Sequence, residues 1–258
     1  MQNISSPTPP QPQPHMYDRV HSEVIDLCKN IARNDFVLLP AKHVHSLITL
    51  DDESLLEDWE DFQNSWNRLE QDQHMKDGGK YRFRRHGVYS AEPSSSVKPE
   101  PRQPHYQSLD YNTLNGGIAR DFAPIEPAIA DCKILMAALE LCRRTFSSIA
   151  PFYGWHIEVH QFRIIATDNQ ALPTPEGIHR DGVSFVFMML VNRKNVLSGE
   201  TSIYNRERKE LARHTLTTPF DAAIVNDERT LHGVTPITAE DSNEHGYRDV
   251  LVITFNKR

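Results

Sequence analysis

Two histidines, an aspartate and an arginine in the last third of the chain have the types and spacing of a metal site with an anion anchor. His179 and Asp181 lie in Glu176-Gly177-Ile178-His179-Arg180-Asp181-Gly182, at the head of a strongly apolar run. In an extended backbone, residues i and i+2 project to one side, so an imidazole nitrogen and a carboxylate oxygen can reach one ion. His232, in Leu231-His232-Gly233-Val234-Thr235-Pro236, follows 53 residues later, far enough for several strands to intervene before the chain returns beside the first pair. Two histidines and one carboxylate on one face of a barrel leave three coordination positions open, the arrangement of non-haem Fe(II) sites. Arg248 opens a final apolar strand 16 residues further on. At the mouth of a buried strand it needs an anion, and a guanidinium fork grips a carboxylate at two points. The distal carboxylate of 2-oxoglutarate, whose keto-acid end chelates iron, is the natural ligand.

Other polar residues stand where strands are expected. Arg82 and Arg84 share a face of Tyr81-Arg82-Phe83-Arg84-Arg85. They read either as a salt-bridged sheet edge or as cations for a substrate carboxylate. Gln161 and Arg163 alternate onto one face with Val159 and Ile165. That pair lines a pocket on one reading and the outside of a barrel on the other. His156, His160, His214 and His245 read most simply as surface or core residues.

These groups must be positioned by a scaffold, and the chain has two textures. Residues 1–15 hold five of the seventeen prolines, with Gln and Ser; a disordered Pro/Gln-rich tail is expected there. Tyr17, Val20, Val24, Leu27, Cys28 and Ile31 recur at helical spacing. Phe36 to Leu39 predicts a short strand stopped by Pro40, and Leu55, Trp59, Phe62, Trp66 and Leu69 form a second helical stripe. Residues 91–108 contain four more prolines and predict a long loop, with a lid over a site as one option. Pro127 is expected to open a helix carrying Ile134, Leu135, Ala138, Leu141, Cys142 and Phe146. From Trp155 onward, stretches 155–167, 183–192, 201–205, 214–217, 221–225 and 248–256 read as strands between Gly, Pro, Asn and Asp. Strands after a helical half predict a barrel or jelly roll buttressed by helices.

Composition narrows the class of partner. With 258 residues, of which 38% are hydrophobic, the chain can bury a real core. A net charge of −7 without a basic face argues against nucleic acid as the main partner. The longest apolar run, Val183 to Val191, falls well short of the roughly 20 residues that span a bilayer. The amino terminus has no secretory pattern. Cys28, Cys132 and Cys142 form no Cys-x-x-Cys, so a disulfide framework is not expected and a cytoplasmic location is.

The ordered pattern of His-x-Asp, distal His and downstream Arg resembles the Fe(II)/2-oxoglutarate-dependent dioxygenases. More narrowly, EGIHRDGVSFVFMMLVNRKNVLSGETSIY, LHGVTPI and RDVLVITF are similar to the bacterial L-isoleucine dioxygenase group, over about residues 150–258 and more weakly around residues 81–85. That resemblance implies a mainly β chain with flanking helices around a double-stranded β-helix (jelly roll, cupin-like). Residues 16–258 would be one dioxygenase domain, helical or mixed over 16–150 and jelly roll mainly over 151–258. It implies Fe(II) held by His179, Asp181 and His232, with 2-oxoglutarate and O2 as cosubstrates and Arg248 on the distal carboxylate. The implied reaction hydroxylates an unactivated C–H of a small free L-amino acid, aliphatic and isoleucine- or leucine-like, and yields succinate and CO2. A cyclic amino acid such as pipecolate or proline, a carrier- or peptide-bound residue, and a non-catalytic metal-binding jelly roll are the alternatives. In the related halogenating enzymes a small residue replaces the carboxylate ligand and chloride takes its place, so Asp181 implies hydroxylation. The superfamily's Arg-x-Ser pair reads Arg248-Asp249-Val250 here, which leaves the second donor to that carboxylate unassigned.

Overall fold

In the computed structural model, residues 16–49, 52–166 and 170–258 are described; the tail expected over residues 1–15 lies outside them. The first apolar stripe forms helix α1 (Met16–Asn34), which buries Val24, Leu27 and Ile31. Strand β1 (Phe36–Leu39) follows, and Pro40, which has no N–H to continue a ladder, hands the chain to α2 (Ala41–Thr49). The tryptophan stripe does not make one helix. It breaks into short helical turns over 53–56, 59–64 and 65–68, yet Phe62 and Trp66 are still fully buried. The helix expected from Pro127 likewise begins with one isolated turn, Pro127–Ala130, and restarts as α3 (Lys133–Ile149).

The strands that matter for the site are β2 (Arg82–Ala91), β3 (Trp155–Ala166), β4 (Phe185–Lys194), β5 (Glu200–Asn205), β6 (Glu210–Thr215), β7 (Ala222–Asn226), β8 (Thr230–Val234) and β9 (Gly246–Lys257). The large sheet runs β1-β7-β4-β9-β3-β2, and a smaller one runs β6-β5-β8. All their pairings are antiparallel. This is the double-stranded β-helix, with helices on one side of the large sheet.

The large sheet is covered on both faces, and strand parity decides which side chain goes where. Ile157, Val159, Phe187, Met189, Leu251, Ile253 and Phe255 join the helices in the main core. Phe146 of α3 stacks on Phe185, with ring centroids 4.6 Å apart. The opposite face turns toward the small sheet, where Val186, Met188, Leu190 and Val250 meet Ile203 of β5. Among the described residues, no helix is long and apolar enough to cross a membrane.

Candidate active site

His179 and His232 are locked together by a two-bond antiparallel bridge. Each backbone N–H donates to the other's carbonyl at 2.9 Å, so the imidazoles sit side by side with centroids 4.7 Å apart. Asp181 follows on the same loop, and the loop is pinned by Asp227, just after β7. The Asp227 carboxylate accepts from the backbone N–H of Asp181, Gly182 and Val183 at 3.0, 2.8 and 3.1 Å. Gly182 has φ +81°, and a Cβ there would run into the Tyr111 ring; only glycine allows both the turn and that close cover.

One atom of each of His179, Asp181 and His232 lies within 4.8 Å of the others. The Asp181 carboxylate divides between the imidazoles, Oδ1 3.6 Å from His179 Nε2 and Oδ2 3.5 Å from His232 Nε2. These separations are too long for good hydrogen bonds. His179 Nδ1 lies 3.0 Å from the Gly177 carbonyl, which can only accept, so Nδ1 carries a proton and Nε2, beside Asp181, is the nitrogen that an ion would take in exchange for its proton. Two imidazole nitrogens and a carboxylate are the donor set that suits a non-haem iron ion. The electrostatics agree with a convergent site. Burial opposes the charge on His179, but Asp181 and Glu176 beside it raise its pKa to about 9. Burial and the neighbouring His179 push His232 down to about 4. Against its own burial, Asp181 is held below the usual carboxylate range by the two imidazoles. Asp227 is pushed up to about 7 by burial and by the Asp181 charge.

The triad opens into a cavity of about 410 Å³. Its floor is the inner face of the large sheet, in cross-strand rows of β2, β3 and β9. One row is Arg82, Ile164 and Arg248; the next is Arg84, Phe162 and Val250; in a third, His160 and Val252 face the cavity. Arg248 is 5% exposed, and its Nε has no hydrogen-bond partner among the described residues. Burial and the nearby Arg193 bring its pKa down to about 10. Arg82 also lies on this floor but is paired with Asp72, at 2.8 Å. Arg84 is clamped between the rings of Phe122 and Phe162.

Gln161 and Arg163 correct the sequence expectation. They share a face with Val159, as alternation requires, but that face turns to the helical side and neither lines the cavity. Gln161 donates to Ser65 Oγ at 2.8 Å, and Arg163 forms a double hydrogen bond with Asp249, both at 2.7 Å. His156 and His160, on the other parity, stand in the cavity wall.

Sequence reasoning missed several cavity residues. Gln107, at the end of the proline-rich loop, donates to the Asp181 carboxylate at 3.2 Å and to its carbonyl at 3.1 Å. Its own oxygen accepts from Asn112 and Arg120. The loop's length was the available signal. Glu158 is ringed by His86, His105, His156 and His160, and His105 Nδ1 reaches it at 2.5 Å. Three of these histidines and Glu158 lie as close together as the triad. Arg84, however, donates to His160 Nδ1 at 2.7 Å, so His160 Nε2 holds a proton and that nitrogen offers no lone pair to an ion.

Comparison with known proteins places this geometry. The family model of the 2OG-Fe dioxygenases matches residues 63–254. The chain is 24% identical over 242 residues to the 3(1)-hydroxy-L-isoleucine 4-dioxygenase of Pantoea ananatis, covering 91% of this chain and 96% of that protein. It is 29% identical over 158 residues to the L-isoleucine-4-hydroxylase of Bacillus thuringiensis, covering 59% of this chain and 65% of that one. The crystal structure of a bsmA homolog from Methylobium petroleophilum superposes with a TM-score of 0.80 at 29% identity, covering 90% of this chain and 92% of its own.

Proposed function

The chain belongs to the 2OG-Fe dioxygenase family, and from that premise we propose that it hydroxylates an unactivated C–H bond of a free aliphatic L-amino acid, isoleucine- or leucine-like, while 2-oxoglutarate becomes succinate and CO2. His179, Asp181 and His232 hold the Fe(II), and Arg248 takes the distal carboxylate of 2-oxoglutarate. One observation carries the reading: three convergent metal donors share a cavity with a buried, unpartnered arginine. The two relatives, named for 3(1)-hydroxy-L-isoleucine and for L-isoleucine, support the substrate class.

The bound iron supplies dioxygen activation coupled to decarboxylation of 2-oxoglutarate. The protein's own residues supply position and seclusion. The backbone bridge fixes the two imidazoles, and Asp227 fixes the loop that carries Asp181. Gln107 donates to the Asp181 carboxylate, as residues around ligating carboxylates do. Val250, Val252 and Met188 line the cavity with an apolar wall against which an aliphatic side chain can rest. Three unpaired cysteines support a reducing, cytoplasmic setting.

The test is a screen of the twenty amino acids and pipecolate with Fe(II), 2-oxoglutarate and O2, read by mass for one added oxygen and by succinate release. Isoleucine or leucine should lead. Product from a carrier-bound residue with none from any free amino acid refutes the proposal.

A further inference from the structure

The cavity holds more buried charge than the iron site accounts for. Among the described residues, Arg82 and Arg84 share Asp72, at 2.8 and 3.7 Å, and Glu158 has its ring of imidazoles. Arg248 and Arg120 have no opposite side-chain charge of that kind, and Glu176 has only the imidazole of His179. Arg120 is 2% exposed, has no carboxylate oxygen within 4.0 Å, and leaves Nε without a partner. Its one polar side-chain neighbour is the neutral Gln107, at 3.2 Å. Glu176 has a 10% exposed side chain. It has only an Asn112 amide at 3.5 Å on Oε1, His179 Nε2 at 3.5 Å, and nothing on Oε2. That His179 nitrogen is the one offered to iron.

Buried charges without partners are expensive, so each marks a group that a ligand brings. Arg248 answers to the distal carboxylate of 2-oxoglutarate. One cation and one anion are left over, and they are linked: Arg120 and Asn112 both donate to the Gln107 side-chain oxygen, and Asn112 also reaches Glu176. Gln107 ties that pair to the metal loop, since it accepts from Arg120 and donates to Asp181.

We propose that Arg120 and Glu176 form a zwitterion subsite, Arg120 binding the α-carboxylate and Glu176 the α-ammonium of the substrate. The assignment rests on the free-amino-acid reading above and sharpens it: both α-groups must be unmodified. A carrier- or peptide-bound residue masks one or both, and it would leave Arg120 or Glu176 buried and unpaired. A site built to satisfy a charged group strongly rejects the analogue that lacks it.

The experiment is calorimetric titration, without oxygen, of the enzyme loaded with Fe(II) and 2-oxoglutarate. The probes are L-isoleucine, 3-methylpentanoate, which lacks the ammonium, and 2-methylbutylamine, which lacks the carboxylate; both analogues are smaller than the amino acid. Wild type should prefer isoleucine over each by at least about 30-fold, the order expected for removing one partner of a buried charge pair. Glu176→Gln should lose the preference over 3-methylpentanoate alone, and Arg120→Gln that over 2-methylbutylamine alone, because the missing interaction cannot be lost twice. Both variants should still bind iron and 2-oxoglutarate. Retained preference in either variant overturns the subsite, as does loss of iron or 2-oxoglutarate, which would make these residues part of the metal centre. A wild type that hydroxylates no free amino acid sinks the proposed function itself; one that hydroxylates isoleucine while the variants keep their preferences sinks the subsite alone.

Discussion

Replacing Arg248 should make the ligand-free protein more stable and useless at once. Burial and the neighbouring Arg193 bring the folded guanidinium down from its usual range to about 10. The folded state therefore holds that proton less tightly. At neutral pH the charged side chain costs the fold about 3 kcal/mol, taking roughly 1.4 kcal/mol per pKa unit. The cost is complete below pH 10 and fades only as pH rises above it. Arg248→Met removes the charge and fills the place beside Val250 with an apolar chain. The ligand-free variant should gain up to about 3 kcal/mol, or roughly 6–12 °C in Tm for a chain of this size. Wild type with 2-oxoglutarate at 100 times its Kd gains about 2.7 kcal/mol; the methionine variant should gain nothing. Arg248→Lys keeps the cost and loses the two-point grip, so its 2-oxoglutarate affinity should fall about 10- to 100-fold. Thermal melts of all three proteins, with and without 2-oxoglutarate, read every term. A methionine variant less stable than wild type, or one that still shifts with 2-oxoglutarate, refutes the reasoning.

His179→Ala and His232→Ala should lose Fe(II) binding and turnover while far-UV circular dichroism stays native; iron retained at wild-type stoichiometry removes the ligand assignment. Wild type assayed in chloride buffer should give hydroxylated product by mass, because Asp181 fills the position a halide would need. Asp181→Gly should lose hydroxylation, and a mainly chlorinated wild-type product contradicts both statements. Gln107→Ala should weaken Fe(II) binding by about 10- to 100-fold through a loosened Asp181, as read in an iron titration; an unchanged titration makes Gln107 a loop residue only. Arg163→Ala strands the fully buried Asp249 and should cost about 3–5 kcal/mol in denaturant melts, with the substrate KM unmoved; a raised KM would return Arg163 to the cavity.

The sequence alone determines the donor set of the proposed metal centre in this protein. His179, Asp181 and His232 carry their meaning in residue type, in the two-residue spacing on one strand face, and in the order that ends with Arg248. The apolar runs around them are long enough to read as strands, because a sheet buried on both faces demands near-continuous hydrophobicity. That same demand hides orientation. On β3 both parities carry polar side chains, His156, Glu158 and His160 on one and Gln161 and Arg163 on the other. Only pairing with β9, whose Leu251, Ile253 and Phe255 lie under the helices, settles which set faces the ligands. A one-residue difference in parity reverses every side chain, and no local pattern breaks that tie. Strand β8 was invisible for a related reason: at five residues with Gly233 inside it, it exists because β5 and the His179 bridge pair with it. Gln107, Arg120, Glu176 and Asp227 became site residues only through tertiary contact. The hydrogen bonds of Asp227 and Gln107 to Asp181 span 46 and 74 residues, and a buried charge such as Arg120 reveals its missing partner only once the chain has closed around it.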